Sequence, residues 1–233
     1  MTACDALFLG PHPDDVELAA AGTILRLQER GFRVGIVDAT RGEKGSRGSA
    51  AERQAESEAA AKLLGVAFRS NLELPDTCVV VDDAATRKLV AVLRTHRPRL
   101  FFAPVERDVH PDHTAVAQLA TRAFFHAGLR NYAPELGAPH RPRLLVRYPG
   151  NVPVEPTIAI DISDLVDRKA AVIRCYGSQL APSDRGHLLQ GLDVLERAQT
   201  RDRFHGTRIG AVAAEPFVLD GPLPLRDLGS LMG

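Results

Sequence analysis

Two short turns of the chain concentrate histidine and aspartate residues. Residues 11–15 read PHPDD, and residues 110–113 read HPDH. Imidazole and carboxylate groups are the usual nitrogen and oxygen ligands of a catalytic zinc, which takes three protein ligands and leaves one position open for water. A further carboxylate nearby can act as a base towards that water. The two turns therefore predict a metal-dependent hydrolytic site, provided that the fold brings them together.

The segments around these turns alternate between strand-like and helix-like patterns. Residues 6–9 (ALFL) and 99–103 (RLFFA) are apolar runs typical of buried parallel strands, and each precedes one of the two turns. Further strands are predicted at residues 33–37, 68–74, 143–148 and 157–160, and helices at residues 16–30, 50–64, 82–96, 112–127, 165–176 and 188–204. Strands that alternate with helices imply βαβ units, so we predict an α/β fold: a Rossmann-like, mostly parallel sheet flanked by helices.

This fold predicts where the two turns meet. The carboxyl ends of parallel strands share one edge of the sheet, and open α/β sheets bind their ligands at that edge. Both turns directly follow a predicted strand and precede a predicted helix. We therefore expect a metal site at the carboxyl ends of the strands.

Composition narrows the class of protein. A length of 233 residues suits one α/β domain, predicted here over residues 1–233. The formal net charge is zero, which argues against nucleic-acid binding. Cys4, Cys78 and Cys175 form no disulfide framework, so we expect a reducing cytoplasm. The N-terminus lacks the pattern of a signal peptide, and no apolar run approaches the roughly 20 residues that span a bilayer, so we expect no membrane association.

The two turns together resemble those of the LmbE-like (PIG-L-type) zinc-dependent N-acetylglucosamine deacetylases. Further matches lie at residues 40–45 (TRGEKG), 71–76 (NLELPD), 176–179 (YGSQ) and 215–217 (EPF). The combination is most similar to the bacillithiol biosynthesis deacetylases, which hydrolyse N-acetylglucosaminyl malate to the free amine. The resemblance also implies a homo-oligomer, with a hexamer as the expected form.

The resemblance implies a role for each residue of the two turns. His12, Asp15 and His113 would bind Zn²⁺, although such a set would also accept Fe²⁺ or Co²⁺. Asp14 would be the general base that activates the attacking water. We expect its pKa to stay low beside a cation, so that it remains ionised.

Two further residues of the second turn complete the implied catalytic set. His110 would stabilise the tetrahedral intermediate and could protonate the leaving amine, and carboxylates nearby should help it to hold its proton. Asp112 would orient or charge-balance His110. A competing interpretation makes Asp112 the N-cap of the following helix.

Several residues are candidates for substrate binding. Arg53 would lie at the substrate end of the pocket, and Arg41 and Glu43 could contact substrate from a glycine-rich loop that does not match a phosphate-binding motif. The two carboxylates of malate would need cationic groups, for which Arg41, Arg47, Arg53 and Arg147 are candidates. Alternatively, Arg53 is a solvated helix residue that pairs with a glutamate three positions later.

Two other functions stay open at this level. The enzyme could act on a mycothiol-type inositol conjugate or on an acetylated chito-sugar, which would require neutral hydrogen-bonding groups. The chain could also be a non-catalytic module that binds a sugar or a nucleotide, with structural His/Asp turns. A decayed module would be expected to have lost at least one of His12, Asp14, Asp15 and His113, and none is missing.

Overall fold

The computed structural model describes residues 3–180, 193–225 and 227. Its strands are β1 (Ala6–Gly10), β2 (Val34–Asp38), β3 (Phe68–Asn71), β4 (Leu100–Pro104), β5 (Leu144–Tyr148), β6 (Ile158–Asp161) and β7 (Ala214–Leu219). Its helices are α1 (Asp15–Glu29), α2 (Ala50–Leu64), α3 (Asp83–His96), α4 (Pro111–Ala127), α5 (Val166–Ile173), α6 (Gly177–Leu180) and α7 (Val194–Thr207). Short 3₁₀ turns lie at Pro134–Leu136 and Ser163–Leu165.

Within the described residues, the seven strands form one sheet in the order β3-β2-β1-β4-β5-β7-β6. The strands from β3 to β5 pair in parallel, whereas β7 is antiparallel to both β5 and β6. A mostly parallel sheet flanked by helices is the predicted α/β, Rossmann-like architecture, so that prediction is confirmed. The single domain over residues 1–233 stays a prediction.

Strand β1 is buried along its whole length. Phe8 belongs to a cluster with side chains of α1 and α2, whereas Leu7 and Leu9 belong to a second cluster with side chains of α3 and α4. Alternate side chains of a strand point to opposite faces of the sheet. The uninterrupted apolar run in the sequence is therefore what a strand covered on both faces requires.

The strand order reverses beside β1, which lies between β2 and β4. Helix α1 follows β1 and packs on one face of the sheet, and α4 follows β4 and packs on the other. Neighbouring strands whose chains leave in opposite directions open a crevice at their carboxyl ends. Both His/Asp turns lie at this crevice, where the sequence places them.

The sequence analysis missed β7, which carries Glu215 and Pro216. Charged residues and proline are depleted in strands. Glu215 is nevertheless fully buried, because its carboxylate accepts hydrogen bonds from the backbone N–H groups of Gly22 (2.8 Å) and Thr23 (2.6 Å) in α1. It also lies 2.7 Å from Nζ of Lys169. These partners compensate the negative charge of Glu215, which is why a charged residue is tolerated in this buried strand.

Some element boundaries differ from the prediction. The strand predicted at residues 68–74 ends at Asn71, whose side chain donates to the carbonyl of Thr40 and accepts from the backbone N–H of Glu73, which has a positive φ of 51°. The helix predicted at residues 165–176 is limited to α5. Residues 188–192 of the last predicted helix lie outside the described residues, and α7 covers the rest. No helix in the described parts of the chain is long and apolar enough to cross a membrane.

Candidate metal and active site

The turn after β1 folds back so that Asp15 lies against His12. The backbone N–H of His12 donates to Oδ2 of Asp15 at 2.9 Å, and the same oxygen lies 3.1 Å from Nδ1 of His12. Asp14, between them, has a positive φ of 119°. Such a conformation costs a non-glycine residue about 1–3 kcal/mol and is common at functional sites.

The second turn forms the start of α4. His110 is the N-cap, and its Nδ1 accepts a hydrogen bond from the backbone N–H of Asp112 at 3.2 Å. Pro111 opens the helix, a position that suits proline because its missing N–H would have no partner there. The imidazole of His113 stacks on that of His110, with ring centroids 4.9 Å apart, and lies 5.5 Å from the ring of His12. The two turns therefore converge, as the sequence predicted.

Oδ2 of Asp15 lies between two imidazoles. It is 3.1 Å from Nδ1 of His12 and 3.3 Å from Nε2 of His113. These three residues offer ligand atoms that all lie within 4.8 Å of one another, and His12, His110 and Asp112 form a second set of the same size. Two imidazole nitrogens and one carboxylate oxygen are a donor set that fits a catalytic zinc.

The set of His12, Asp15 and His113 suits a cation better than the set with Asp112, because the two carboxylates differ in the other hydrogen bonds that they accept. Asp112 already accepts from the backbone N–H groups of Thr77 at 2.7 Å and Val79 at 3.3 Å. Asp15 accepts one backbone N–H, from His12. More of the charge of Asp15 is thus available to a cation, which favours His12, Asp15 and His113 as the ligands.

Three carboxylates surround His12. Its Nε2 lies 3.2 Å from Oδ1 of Asp76 and 3.4 Å from Oδ2 of Asp112, and Asp15 faces its Nδ1. Burial opposes a charged imidazole, yet hydrogen bonds with Asp112, Asp15 and Asp76 raise the pKa of His12 to about 12. The site thus strongly favours a positive charge. A divalent cation can take the place of that proton, because metal ligation needs a neutral imidazole.

His113 is held by a residue that the sequence analysis missed. Its Nδ1 lies 3.2 Å from Oδ2 of Asp108, whose side chain is fully buried. Asp108 also accepts hydrogen bonds from the backbone N–H of His110 (2.8 Å) and from both the backbone and the side chain of Asn151 (2.8 and 3.1 Å). A metal-binding histidine is usually oriented by such a carboxylate at its other nitrogen. Asp108 precedes His110 by two residues, so its proximity to the second turn was the available signal.

The loop after β5 approaches this carboxylate closely. A Cβ atom at Gly150 would overlap Oδ2 of Asp108 and would lie 2.7 Å from Nδ1 of His113. Neither contact is possible for a real side chain, so glycine is required at this position. The carboxyl end of β5 therefore also contributes to the site, through the backbone at Gly150, which belongs to no recognisable sequence motif.

The low pKa of Asp14 was predicted for the site with its cation and stays a prediction, while burial in the protein acts in the opposite direction. Burial raises the pKa of Asp14 to about 7, although Arg53, with Nη2 3.3 Å from Oδ2 of Asp14, acts to lower it. The sequence argument counted the neighbouring cation but not the loss of solvent. A pKa near neutrality suits a group that takes up and returns a proton.

His110 differs from its prediction. Burial lowers its pKa, and repulsion from His12 and His113 lowers it further, against the influence of Asp15 and Asp112. A neutral His110 whose Nδ1 accepts the bond from Asp112 carries its proton on Nε2. It can still donate a hydrogen bond, but as an imidazole rather than an imidazolium.

Asp112 contacts His110 through its backbone and not through its carboxylate. The carboxylate instead accepts from the loop residues Thr77 and Val79 and faces His12. The role of Asp112, to orient or charge-balance His110, stays a prediction: its backbone N–H donates to Nδ1 of His110, and its charge acts to raise the pKa of His110. The alternative prediction that Asp112 caps α4 is wrong, because His110 occupies the N-cap.

Arg53 is buried and lies beneath the glycine-rich loop. Its Nη2 donates to the carbonyl of Pro13 at 2.5 Å, and added Cβ atoms at Gly42 or Gly45 would meet its guanidinium at 2.6 and 3.1 Å. The alternative of a surface pair with Glu56 is wrong, because Glu56 accepts from Ser178 instead. Arg53 touches Asp14, so it is a positioning residue of the site.

The loop residues proposed for substrate binding have different surroundings. Arg41 and Glu43 are exposed, and a carboxylate oxygen of Glu43 accepts from the backbone N–H of Asp76 at 3.0 Å. Asp76 in turn lies against His12. Glu43 therefore connects the loop to the site, while substrate contacts by Arg41, Glu43 and Arg53 stay predictions.

Comparisons with known proteins agree with this geometry. The family model described as "PIG-L: GlcNAc-PI de-N-acetylase" matches residues 7–124, slightly more than half of the chain. The diacetylchitobiose deacetylase of Thermococcus kodakarensis is 30% identical over 189 residues, which are 76% of this chain and 70% of that protein.

Solved structures extend the similarity to almost the whole chain. The conserved protein TT1542 from Thermus thermophilus is 39% identical, with a TM-score of 0.87 over 95% of this chain and 97% of that one. The N,N'-diacetylchitobiose deacetylase from Pyrococcus horikoshii is 27% identical, with a TM-score of 0.79 over 96% and 88% of the two chains. Fold, site and relatives together define a deacetylase with a metal-binding centre. The chain belongs to the PIG-L (GlcNAc-PI de-N-acetylase) family, as the LmbE-like resemblance predicted.

Proposed function

We propose that the protein hydrolyses the acetamide of an N-acetylglucosamine derivative, with Zn²⁺ held by His12, Asp15 and His113. The observation that carries this proposal is the position of Asp15 between the two imidazoles, next to Asp14. An amide is a weak electrophile, so its hydrolysis needs an activated water, a polarised carbonyl and a proton for the leaving amine.

The metal would supply two of these requirements: it polarises a carbonyl and lowers the pKa of water. The donor set also accepts Fe²⁺ or Co²⁺, so availability in the cell decides the ion. The chain's own residues supply the rest. Asp14 takes the proton of the attacking water and returns it to the leaving amine.

Two residues support this proton transfer. Arg53 fixes Asp14 through the contact at 3.3 Å and through the carbonyl of Pro13. His110, with its proton on Nε2, donates to the oxygen on which negative charge develops. Asp112 serves His110 through its backbone N–H and His12 through its carboxylate.

For the substrate we propose N-acetylglucosaminyl malate, and hence a place in bacillithiol biosynthesis. The support is the set of motifs shared with that subgroup, among them residues 40–45, 71–76 and 176–179. Diacetylchitobiose is the second candidate, because two of the relatives above carry that substrate in their names.

The test counts the free amine released from zinc-loaded protein. Asp14→Asn keeps the size of the side chain and tolerates a positive φ better than alanine does, so it removes the base with little disturbance. Asp167→Asn, on the exposed side of α5, is the matched control. We expect release by the wild type and the control, and a rate lower by about 10²–10⁴-fold for Asp14→Asn.

Other outcomes separate the parts of the proposal. Release from diacetylchitobiose but not from N-acetylglucosaminyl malate would leave the deacetylase and contradict the substrate. No release from any N-acetylated sugar, with no divalent ion bound, would favour the non-catalytic binding module.

We also propose a homo-oligomer, a hexamer by resemblance to the family, and a cytoplasmic location. The mass in solution, measured by light scattering at micromolar concentration, tests the first of these. A monomeric mass would contradict it.

A further inference from the structure

A cavity of about 550 Å³ reaches the proposed metal ligands from one side. It lies between the loop after β5 and helix α7, and Asp15 and Gly150 are among its lining residues. Apolar side chains such as Leu18, Val152 and Phe204 make up much of its wall. Of the proposed metal ligands and catalytic residues, Asp15 alone lies in this wall. The cavity is therefore distinct from the proposed catalytic site.

Positive charge predominates in the cavity. Among the described lining residues, the basic side chains are Arg197, Arg201 and His205, and Asp15 is the acidic one. Because Asp15 faces the two imidazoles, its charge is engaged at the metal site. The cavity therefore offers cationic groups on the wall that it shares with Asp15.

The two arginines differ in their partners. Arg201 lies 3.2 Å from the carboxylate of Asp202, which compensates its charge. Arg197 instead donates to the side-chain and backbone oxygens of Asn151, at 3.1 and 2.8 Å, and both oxygens are neutral. Burial and the neighbouring Arg201 lower the pKa of Arg197, while Asp108 acts in the opposite direction. In the described part of the chain, no carboxylate pairs with Arg197 directly.

A second polar group lacks a partner at the same wall. His205 is 4% exposed, and its Nδ1 is buried without a hydrogen bond among the described residues. Buried polar atoms are nearly always hydrogen-bonded in folded proteins, so an exception calls for an explanation. A ligand in the cavity would supply the negative charge next to Arg197.

We propose that this cavity binds a carboxylate-bearing substituent of the amino sugar, with Arg197 as its anchor. The inference rests on the proposed function and specifies the substrate of that site as an anionic glycoside. A neutral chito-sugar makes no use of a cation at this position.

Three of the four earlier candidates for this role have other partners in the structure, while Arg41 is exposed and stays a candidate. Arg147 is buried and bound to Thr121 and to the carbonyls of Pro104 and Ala117. Arg53 is engaged with Asp14, and Arg47 donates to the carbonyl of Gln179. Arg197 was overlooked because no motif surrounds it and only the packing of α7 brings it near the site.

The experiment compares N-acetylglucosaminyl malate with the uncharged methyl N-acetylglucosaminide. Arg197→Gln removes the cation, Asn151→Ala removes the contact to Asp108 but keeps the cation, and Arg203→Gln removes an exposed cation of the same helix. We expect Arg197→Gln to lower the ratio of kcat/KM for the malyl over the methyl substrate by about 10- to 100-fold, the usual effect of losing a charged hydrogen bond. Asn151→Ala removes one of the two hydrogen bonds of Arg197 but keeps its charge, so it should lower the ratio less than Arg197→Gln does, and Arg203→Gln should leave the ratio unchanged.

Equal losses on both substrates with Arg197→Gln would overturn the inference and leave the deacetylase intact. A wild type that does not prefer the malyl substrate would likewise overturn the inference and leave the deacetylase intact. Binding of the product, glucosaminyl malate, measured by calorimetry, tests the cavity without turnover. Weaker binding to Arg197→Gln than to Arg203→Gln supports the inference even if no substrate is cleaved, and equal binding by these two variants contradicts it.

Discussion

The carboxylate of Asp108 lies 3.2 Å from Nδ1 of His113 and is fully buried. Burial alone would raise its pKa, but hydrogen bonds from His113, His110 and Asn151 hold the pKa of Asp108 well below its usual range. An ionised Asp108 favours a proton on Nδ1 of His113, so that Nε2, which faces Asp15, is the nitrogen that would bind a metal. A buried carboxylate thus prepares the imidazole for a metal.

Replacing Asp108 by asparagine should therefore weaken metal binding. The amide would bring a donor against a donor, and we expect the zinc affinity to fall by about 10- to 100-fold, the usual effect of losing such a partner. Competition with a coloured chelator measures the affinity directly. Asp167→Asn, an exposed aspartate on α5, is the control, and an unchanged affinity in Asp108→Asn would refute the assigned role.

Arg53 should act through Asp14 rather than through the substrate. In Arg53→Met the buried Asp14 loses its ion pair and part of its fixed position, so we expect kcat to fall by roughly 10- to 100-fold, in line with a charged hydrogen bond. Lys62→Met removes an exposed cation from the same helix and should change neither kcat nor KM. A rise in KM at constant kcat would instead identify Arg53 as a substrate ligand.

The charge network between α5, α7 and β7 should be important for stability. Nζ of Lys169 lies 2.7 Å from both Asp202 and Glu215, and all three side chains are almost fully buried. Lys169→Met would leave the buried Glu215 without its cation and Asp202 with Arg201 alone, which should lower the free energy of unfolding by about 3–5 kcal/mol. Urea denaturation measures this loss.

The neighbouring Arg168 provides the matched control for that experiment. It pairs with Glu29 at the surface, and exposed pairs contribute about 0–1 kcal/mol. If Lys169→Met and Arg168→Met lower the stability equally, the buried network has no special importance.

Removal of the metal should destabilise the fold through linkage. A ligand that binds only the native state at 100 times its Kd raises the free energy of unfolding by about 2.7 kcal/mol. We expect a chelator to lower the Tm and added Zn²⁺ to restore it. In His113→Gln the zinc-dependent shift should be largely lost, whereas His140→Gln should retain it; a full shift in His113→Gln would contradict the assigned ligand set.

The sequence alone determined the class of fold and the principal site. Buried strands read as continuous apolar runs, and turns that follow parallel strands must meet at one edge of the sheet. The two His/Asp turns could therefore be placed together, although about 100 residues separate them. The class of fold and this convergence depended on local pattern and on a general rule of α/β topology, whereas the choice of His12, Asp15 and His113 as ligands came from the family resemblance.

The tertiary structure decided everything that depends on burial or on contacts between distant segments. Whether Asp14 has a low pKa or one of about 7 depends on the solvent that packing removes, and composition does not contain that quantity. Three further features arise from loops and helices that pack across the sheet. They are the partner of the Asp112 carboxylate, the contact of Arg53 with Asp14, and the cation that Arg197 places beside the site. Strand β7 was hidden for the same reason, because Glu215 suits a strand only once Lys169 and the backbone of α1 surround it.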